Sequence, residues 1–208
     1  MEGIVFLIGA PGSGKGTLGR QLSNDYGLYQ LSVGDYLREL SRDEGSHLEQ
    51  TTRGYLQRGE LLPNEIILTL LRQKVQDEIA KGHFHFLIDG FPRDLSQALD
   101  FEKTVGSPNL SIVLHCPKDV AKERFLSRNL PGRVDDDAET FEKRFNEFAE
   151  KQPKILDHYR TLGITEEIDS STETKITYGV LKAALEKNNT WVMTCRAEGA
   201  PKRLADNG

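Results

Sequence analysis

The sequence predicts an α/β fold built on a doubly wound parallel sheet. Three observations lead there. Short apolar runs without polar alternation recur along the chain, as expected of strands buried on both faces. Stretches with apolar residues at helical spacing lie between them, and alternating strands and helices imply parallel pairing. The first apolar run also passes through a glycine-rich turn directly into the first helical stretch.

The elements follow in order. Ile4 to Ile8 is the first strand. Leu18, Leu22 and Tyr26 recur every fourth residue, and Gly27 ends that segment as a helix C-cap glycine does. Tyr29 to Ser32 is a weaker strand candidate. Ile66, Ile67, Leu70, Leu71, Val75 and Ile79 mark a second helix, with Gly82 just past its end. Phe84 to Ile88 and Ser111 to His115 read as buried strands. Phe141, Phe145 and Phe148 mark a further helix, and Ile164 to Asp169 is another weaker strand. Residues 1–188 are expected to form one domain. From 189 to 208 a small apolar island, Trp191 to Met193, is followed by a mostly polar, glycine-containing end, so a loosely ordered tail is expected there.

Composition removes several classes of function. Of 208 residues, 37% are hydrophobic, which supports a packed core. A net charge of -5 disfavours a nucleic-acid partner. No apolar run approaches the length of a membrane span, and the N-terminus shows no signal-peptide pattern. Two cysteines, Cys116 and Cys195, are not a disulfide framework and fit a reducing compartment, cytoplasm or nucleus. His83 and His85 alternate on a strand, but no third ligand follows at metal spacing, so they read as structural. A monomer is expected.

Gly9-Ala10-Pro11-Gly12-Ser13-Gly14-Lys15 fits the phosphate-loop pattern G-x-x-x-x-G-K, in the strand-to-helix context that such a loop needs. Glycines let backbone N–H groups wrap around an anion, and the helix that follows adds its positive end. Lys15 supplies a mobile charge for the outer phosphates. The usual hydroxyl after the lysine is replaced by Gly16 and comes one place later, at Thr17. Thr17 is therefore expected to touch phosphate more than metal, with Mg²⁺ held largely through water.

The run G-x-P-G-S-G-K-G-T, formed by Gly9 to Thr17, resembles the nucleoside monophosphate kinases, the adenylate kinase and UMP/CMP kinase family. Three further blocks agree in order: Leu31 to Arg38, Leu87 to Arg93, and Gly132 to Asp136 with Arg144 beyond. The resemblance covers residues 3–187. It implies a P-loop NTPase-type core of five parallel strands, a helical monophosphate-binding lobe at about 32–62, and a short lid at about 129–137. It also implies ATP, a nucleoside monophosphate and Mg²⁺. Gly12, Ser13, Gly14, Lys15, Gly16 and Thr17 would hold the ATP phosphates, and Arg124 would cover its base. Ser32, Val33, Arg38, Gly90, Arg93 and Gln97 would hold the monophosphate. Arg128, Arg133 and Arg144 would clamp the moving phosphoryl group, the last two also touching the acceptor. Arg124 and Arg128, four apart, are expected on one helix face. Asp89, ending a strand beside the phosphate loop, would orient waters on Mg²⁺.

Such chemistry needs positioning and charge neutralisation more than acid–base groups, and arginine forks suit phosphate. Two residues bear on the acceptor base. By resemblance, adenylate kinases typically carry Thr and UMP/CMP kinases Ala where this chain has Val33. Valine has threonine's shape without its hydroxyl, which leans toward UMP/CMP over AMP. Gln97 is usual in adenylate kinases, which keeps AMP as the alternative. A nucleotide-binding module without turnover would lack one of the candidate arginines; all six, Arg38, Arg93, Arg124, Arg128, Arg133 and Arg144, are present.

Overall fold

The computed structural model describes residues 3–42, 52, 54–55, 62–128 and 137–196. Five strands form one sheet: β1 (Gly3–Gly9), β2 (Tyr29–Ser32), β3 (His85–Asp89), β4 (Leu110–His115) and β5 (Thr165–Asp169). Their order is β2-β3-β1-β4-β5, and every pairing is parallel. The doubly wound expectation holds, and both weaker candidates are edge strands. Phe84 stays outside β3 and is half-exposed, whereas Asp89 closes it.

Helices cover both faces: α1 (Lys15–Tyr26), α2 (Val33–Arg42), α3 (Asn64–Ala80), α4 (Leu95–Thr104), α5 (Lys118–Leu126), α6 (Ala138–Thr161), α7 (Thr174–Lys187) and α8 (Asn189–Arg196). The period of two in β1 divides the core. Ile4, Phe6 and Ile8 join the layer under α3, α4 and α6. Val5 and Leu7 join the layer under α1, α7 and α8. Phe6, fully buried, meets Phe91, Phe101 and Tyr159 edge-on, with centroids 5.4–5.9 Å apart. Phe6→Ala would cost about 3–5 kcal/mol. A third, smaller cluster of Ala121, Phe125 and Phe141 packs α5 on α6.

Two expectations need correction. Residues 189–208 were expected as a loose tail, but Asn189–Arg196 form α8. Trp191 is its anchor: only 1% exposed, it stands edge-on to Tyr26 of α1 at 5.0 Å. Residues 197–208 lie outside the described residues. Second, α5 ends at Leu126, where Ser127 caps it and donates from its hydroxyl to the Arg124 carbonyl. Arg128 therefore lies beyond the helix and does not share a helical face with Arg124.

Chain order places the carboxyl ends of β1, β3 and β4 side by side. Helix α1 covers one face of the sheet and α4 the other. Ligand sites of doubly wound sheets form at such a switch point.

Candidate active site

The phosphate loop joins β1 to α1. Gly12 and Gly14 have φ of +86° and +94°, which L side chains rarely adopt. At Gly12 space is closed as well, since a Cβ would fall 1.9 Å from the Ala121 carbonyl oxygen of α5. The loop is thus seated directly on that helix. Thr17 and Leu18 return their N–H groups to the Gly14 carbonyl. The N–H groups of Gly14 and Gly16 take no carbonyl partner among the described residues, as at any open helix N-terminus. Lys15 Nζ donates to the Gly9 and Ala10 carbonyls at 2.7 and 2.8 Å, which folds the ammonium over the loop. The Ser13 hydroxyl is buried without a partner, a donor suited to a phosphate oxygen. Gly16 and Thr17 are exposed on the first turn.

The block from Asp89 to Gln97 begins at the end of the adjacent strand, β3. Asp89 is 7% exposed and pairs in register with Leu7 and Ser32. Gly90 turns the chain at φ +80°, and a cis Phe91–Pro92 bond follows. Asp94 then caps α4, accepting from the Gln97 N–H at 2.9 Å. Gln97 reaches back so that its Oε1 accepts the Arg93 N–H at 2.9 Å. This is related to a capping box, with Asp at the cap and Gln three residues on, but the Gln side chain reaches the N–H of the residue before the cap and not that of the cap itself. It consumes the Gln97 carbonyl oxygen and leaves the amide N–H₂ as the group that can serve a ligand. The signal was present in Asp94-x-x-Gln97, where Gln97 was read only as a base contact.

Arg93 gathers the charge of the site. Its Nε donates to the Gly90 carbonyl at 3.2 Å. The guanidinium is open to solvent in the cleft but crowded by its walls. That crowding lowers its pKa, as do the neighbouring charges of Arg144 and Arg38; Glu147 and Asp89 oppose the shift. Three guanidinium groups from α2, α6 and the β3–α4 loop are therefore brought together. Arg38 lies over Gly34, whose missing Cβ leaves 3.4 Å to the guanidinium, and donates to Asp35. Ser32 donates to the other Asp35 oxygen at 2.7 Å. Asp35 was not singled out in the sequence, though Ser32-x-x-Asp35 has the spacing of a helix cap. Val33 is buried, at 2% exposure.

On α5, the helix after β4, the guanidinium of Arg124 bonds the carbonyls of Ser170 (2.6 Å), Ser171 (3.1 Å) and Thr172 (2.5 Å) beyond β5 and approaches Cys116 Sγ at 3.7 Å. These contacts use the edge of the guanidinium, while its planar face can lie on an aromatic base. Arg128 places its guanidinium 4.8 Å from the Phe125 ring centroid. Arg144 stands on α6, whose first turn is capped by Asp137 accepting from the Thr140 N–H at 2.7 Å. Arg133 lies outside the described residues, as do Asp135 and Asp136. No group of three or more His, Cys, Asp or Glu that could hold a metal occurs among the described residues. His115 and His158 pair instead with Glu167 at 2.6 Å and Glu102 at 3.0 Å.

An anion-binding loop on one strand and an arginine cluster on the next suit a substrate pair that carries phosphate on both members, and P-loop nucleotide kinases work on such pairs. The adenylate kinase family model matches residues 7–164, and the chain belongs to that family. It is 37% identical over 159 residues to a uridylate kinase of Saccharomyces cerevisiae, covering 76% of this chain and 78% of that protein. It is 34% identical over 194 residues to a UMP-CMP kinase of Lentinula edodes (88% and 86%). It is 32% identical over 188 residues to adenylate kinase isoenzyme 1 of Cyprinus carpio (88% and 94%). The protein is a nucleoside monophosphate kinase, a phosphotransferase that uses ATP. No helix among the described residues is long and apolar enough to cross a membrane.

Proposed function

We propose that the acceptor is a pyrimidine monophosphate, UMP or CMP. The buried, hydroxyl-free side chain of Val33 at the head of α2 carries this reading. Similarity to proteins named uridylate kinase and UMP-CMP kinase supports it. Gln97 favours no single base, because with Oε1 engaged it offers a donor that several base acceptors can take. Similarity to adenylate kinase isoenzyme 1 keeps AMP as the second reading.

Phosphoryl transfer is a matter of placing and neutralising charge. Gly12 to Thr17 and Lys15 Nζ hold the triphosphate of ATP, and the face of Arg124 lies against its base. Arg38 and Arg93 hold the acceptor phosphate, which is itself the nucleophile and needs no general base. Arg144, with Arg128 and Arg133, moves with the transferred group as its charge spreads. Thr17 and Asp89 fit Mg²⁺ as holders of its phosphate and water ligands, and the ion when bound neutralises phosphate charge. On the same reading the enzyme works as a monomer, in the cytoplasm or nucleus.

A coupled assay with Mg-ATP across AMP, CMP, UMP, dCMP and GMP tests the acceptor. UMP and CMP should exceed AMP in kcat/KM by about tenfold or more, the worth of one polar contact. Higher turnover of AMP would reverse the reading. In the same assay Val33→Thr should shift the ratio toward AMP by several-fold; an unchanged ratio removes Val33 as the discriminator.

A further inference from the structure

Helix α2 carries Val33 and Arg38, yet among the described residues it reaches the main core only through buried Val33 and partly buried Tyr36 and Leu37. Lys74, on α3, projects between two tyrosines of different elements. Its ammonium lies 5.8 Å from the ring centroid of Tyr29 on β2 and 5.5 Å from that of Tyr36 on α2. The same ammonium bonds Glu78, one turn further along α3, at 2.9 Å. Glu78 is buried and also takes Lys81 at 2.9 Å. His83 approaches its other oxygen at 3.7 Å, and the His83 ring lies 4.9 Å from that of Tyr29. Burial works against the charge on Lys74, but its bonds to Glu78 and Tyr29 raise its pKa above the ordinary lysine value.

A cation held against aromatic faces is an attraction with direction, and partial desolvation strengthens it. Val33 fixes one point of α2. Tyr36, drawn to Lys74, fixes a second, and two points set the rotation of a helix about its axis. Arg38 leaves the helix on another flank, over Gly34. Any rotation of α2 swings its guanidinium relative to Arg93, and a displacement of about 1 Å can cost about a hundredfold in such chemistry.

We propose that Lys74 is a positioning residue for the acceptor arginine, holding α2 through Tyr36 so that Arg38 stands ready beside Arg93. This rests on the acceptor role assigned to Arg38 above. Lys74 touches no substrate in this arrangement, and its effect is confined to the acceptor side.

The test uses the full chain with Lys74→Met, Lys74→Arg, Tyr36→Leu, Tyr36→Phe and Arg38→Ala. Glu78 keeps Lys81 in Lys74→Met, so that variant retains a partner for its buried carboxylate. Lys74→Met should raise the acceptor KM about tenfold and leave the KM for ATP within about twofold, since only one of the two phosphate sites is disturbed. Lys74→Arg keeps a cation over the rings and should return to near the parent, as should Tyr36→Phe. Tyr36→Leu should match Lys74→Met, and the pair together should be no worse than either alone. Amide exchange across residues 33–42 should quicken in Lys74→Met and not in Lys74→Arg. Equal rises in both KM values, or no recovery in Lys74→Arg, overturns the proposal. So does an unchanged acceptor KM in Lys74→Met while Arg38→Ala raises it. If Arg38→Ala leaves the acceptor KM unchanged, the acceptor assignment fails instead. Exchange across α2 then decides the pinning alone: no change there overturns it.

Discussion

Gln97 divides one amide between two tasks. Its oxygen secures the Arg93 backbone, and its nitrogen remains for a ligand. Gln97→Glu keeps the acceptor for Arg93 but removes the donor, so acceptor binding should weaken while ATP binding holds. Unchanged acceptor KM would show that the amide nitrogen reads no base. On the roles proposed above, the chemistry rests on the charges of Lys15 and Arg93. Lys15→Met and Arg93→Ala should each lower kcat/KM by about a hundredfold or more, the scale of one lost transition-state contact. Near-parent rates in a steady-state assay would refute those roles. At this scale the sequence was informative where a motif dictates backbone shape: the left-handed Gly12 and Gly14 were legible in the loop pattern. It was silent on Asp35 and on the divided role of Gln97, because both depend on which hydrogen bonds a side chain has already made.

Helix α3 shows how an element carries a buried charge. Burial alone would raise the pKa of Glu78, but its bonds to Lys74 and Lys81 outweigh that and hold it at about 2, against an ordinary 4.5. The folded pKa is the lower one. The stabilisation is therefore complete above pH 4.5 and is lost as pH falls toward 2. Glu78→Gln should cost about 3 kcal/mol at neutral pH, with parent and variant converging in acid. Urea unfolding between pH 7 and pH 2 checks this; a constant gap would refute it. Glu78 sits on a helix whose apolar spacing was plain in Ile67, Leu71 and Val75, yet its own burial was invisible. A carboxylate at a core-facing position looks like an ordinary surface acid until its partners are seen. Helix α5 misled in a related way, since the four-residue spacing of Arg124 and Arg128 suggested a helix that Ser127 ends.

Across the whole molecule, β1 divides the core, and the last helix closes one side of it. Thr194 of α8 reaches Gly3 and His85 at the amino ends of β1 and β3, opposite the active site. Trp191→Ala should therefore cost about 3–5 kcal/mol and lower the melting temperature by about 10 °C or more, while KM values stay near the parent. Calorimetry with parallel kinetics checks both halves. The parallel sheet was legible because continuous apolar runs have few other uses. The docking of α8 was not, because a three-residue apolar island, Trp191 to Met193, makes no periodic signal. Gly12 has a wider meaning at this scale. Its backbone rests on the Ala121 carbonyl of α5, and α5 also bears Arg124. On the roles proposed above, the places for the triphosphate and for the base are tied by one contact too close for even a methyl group, a backbone spacer that gauges the length of the donor nucleotide and that any side chain at position 12 would reset.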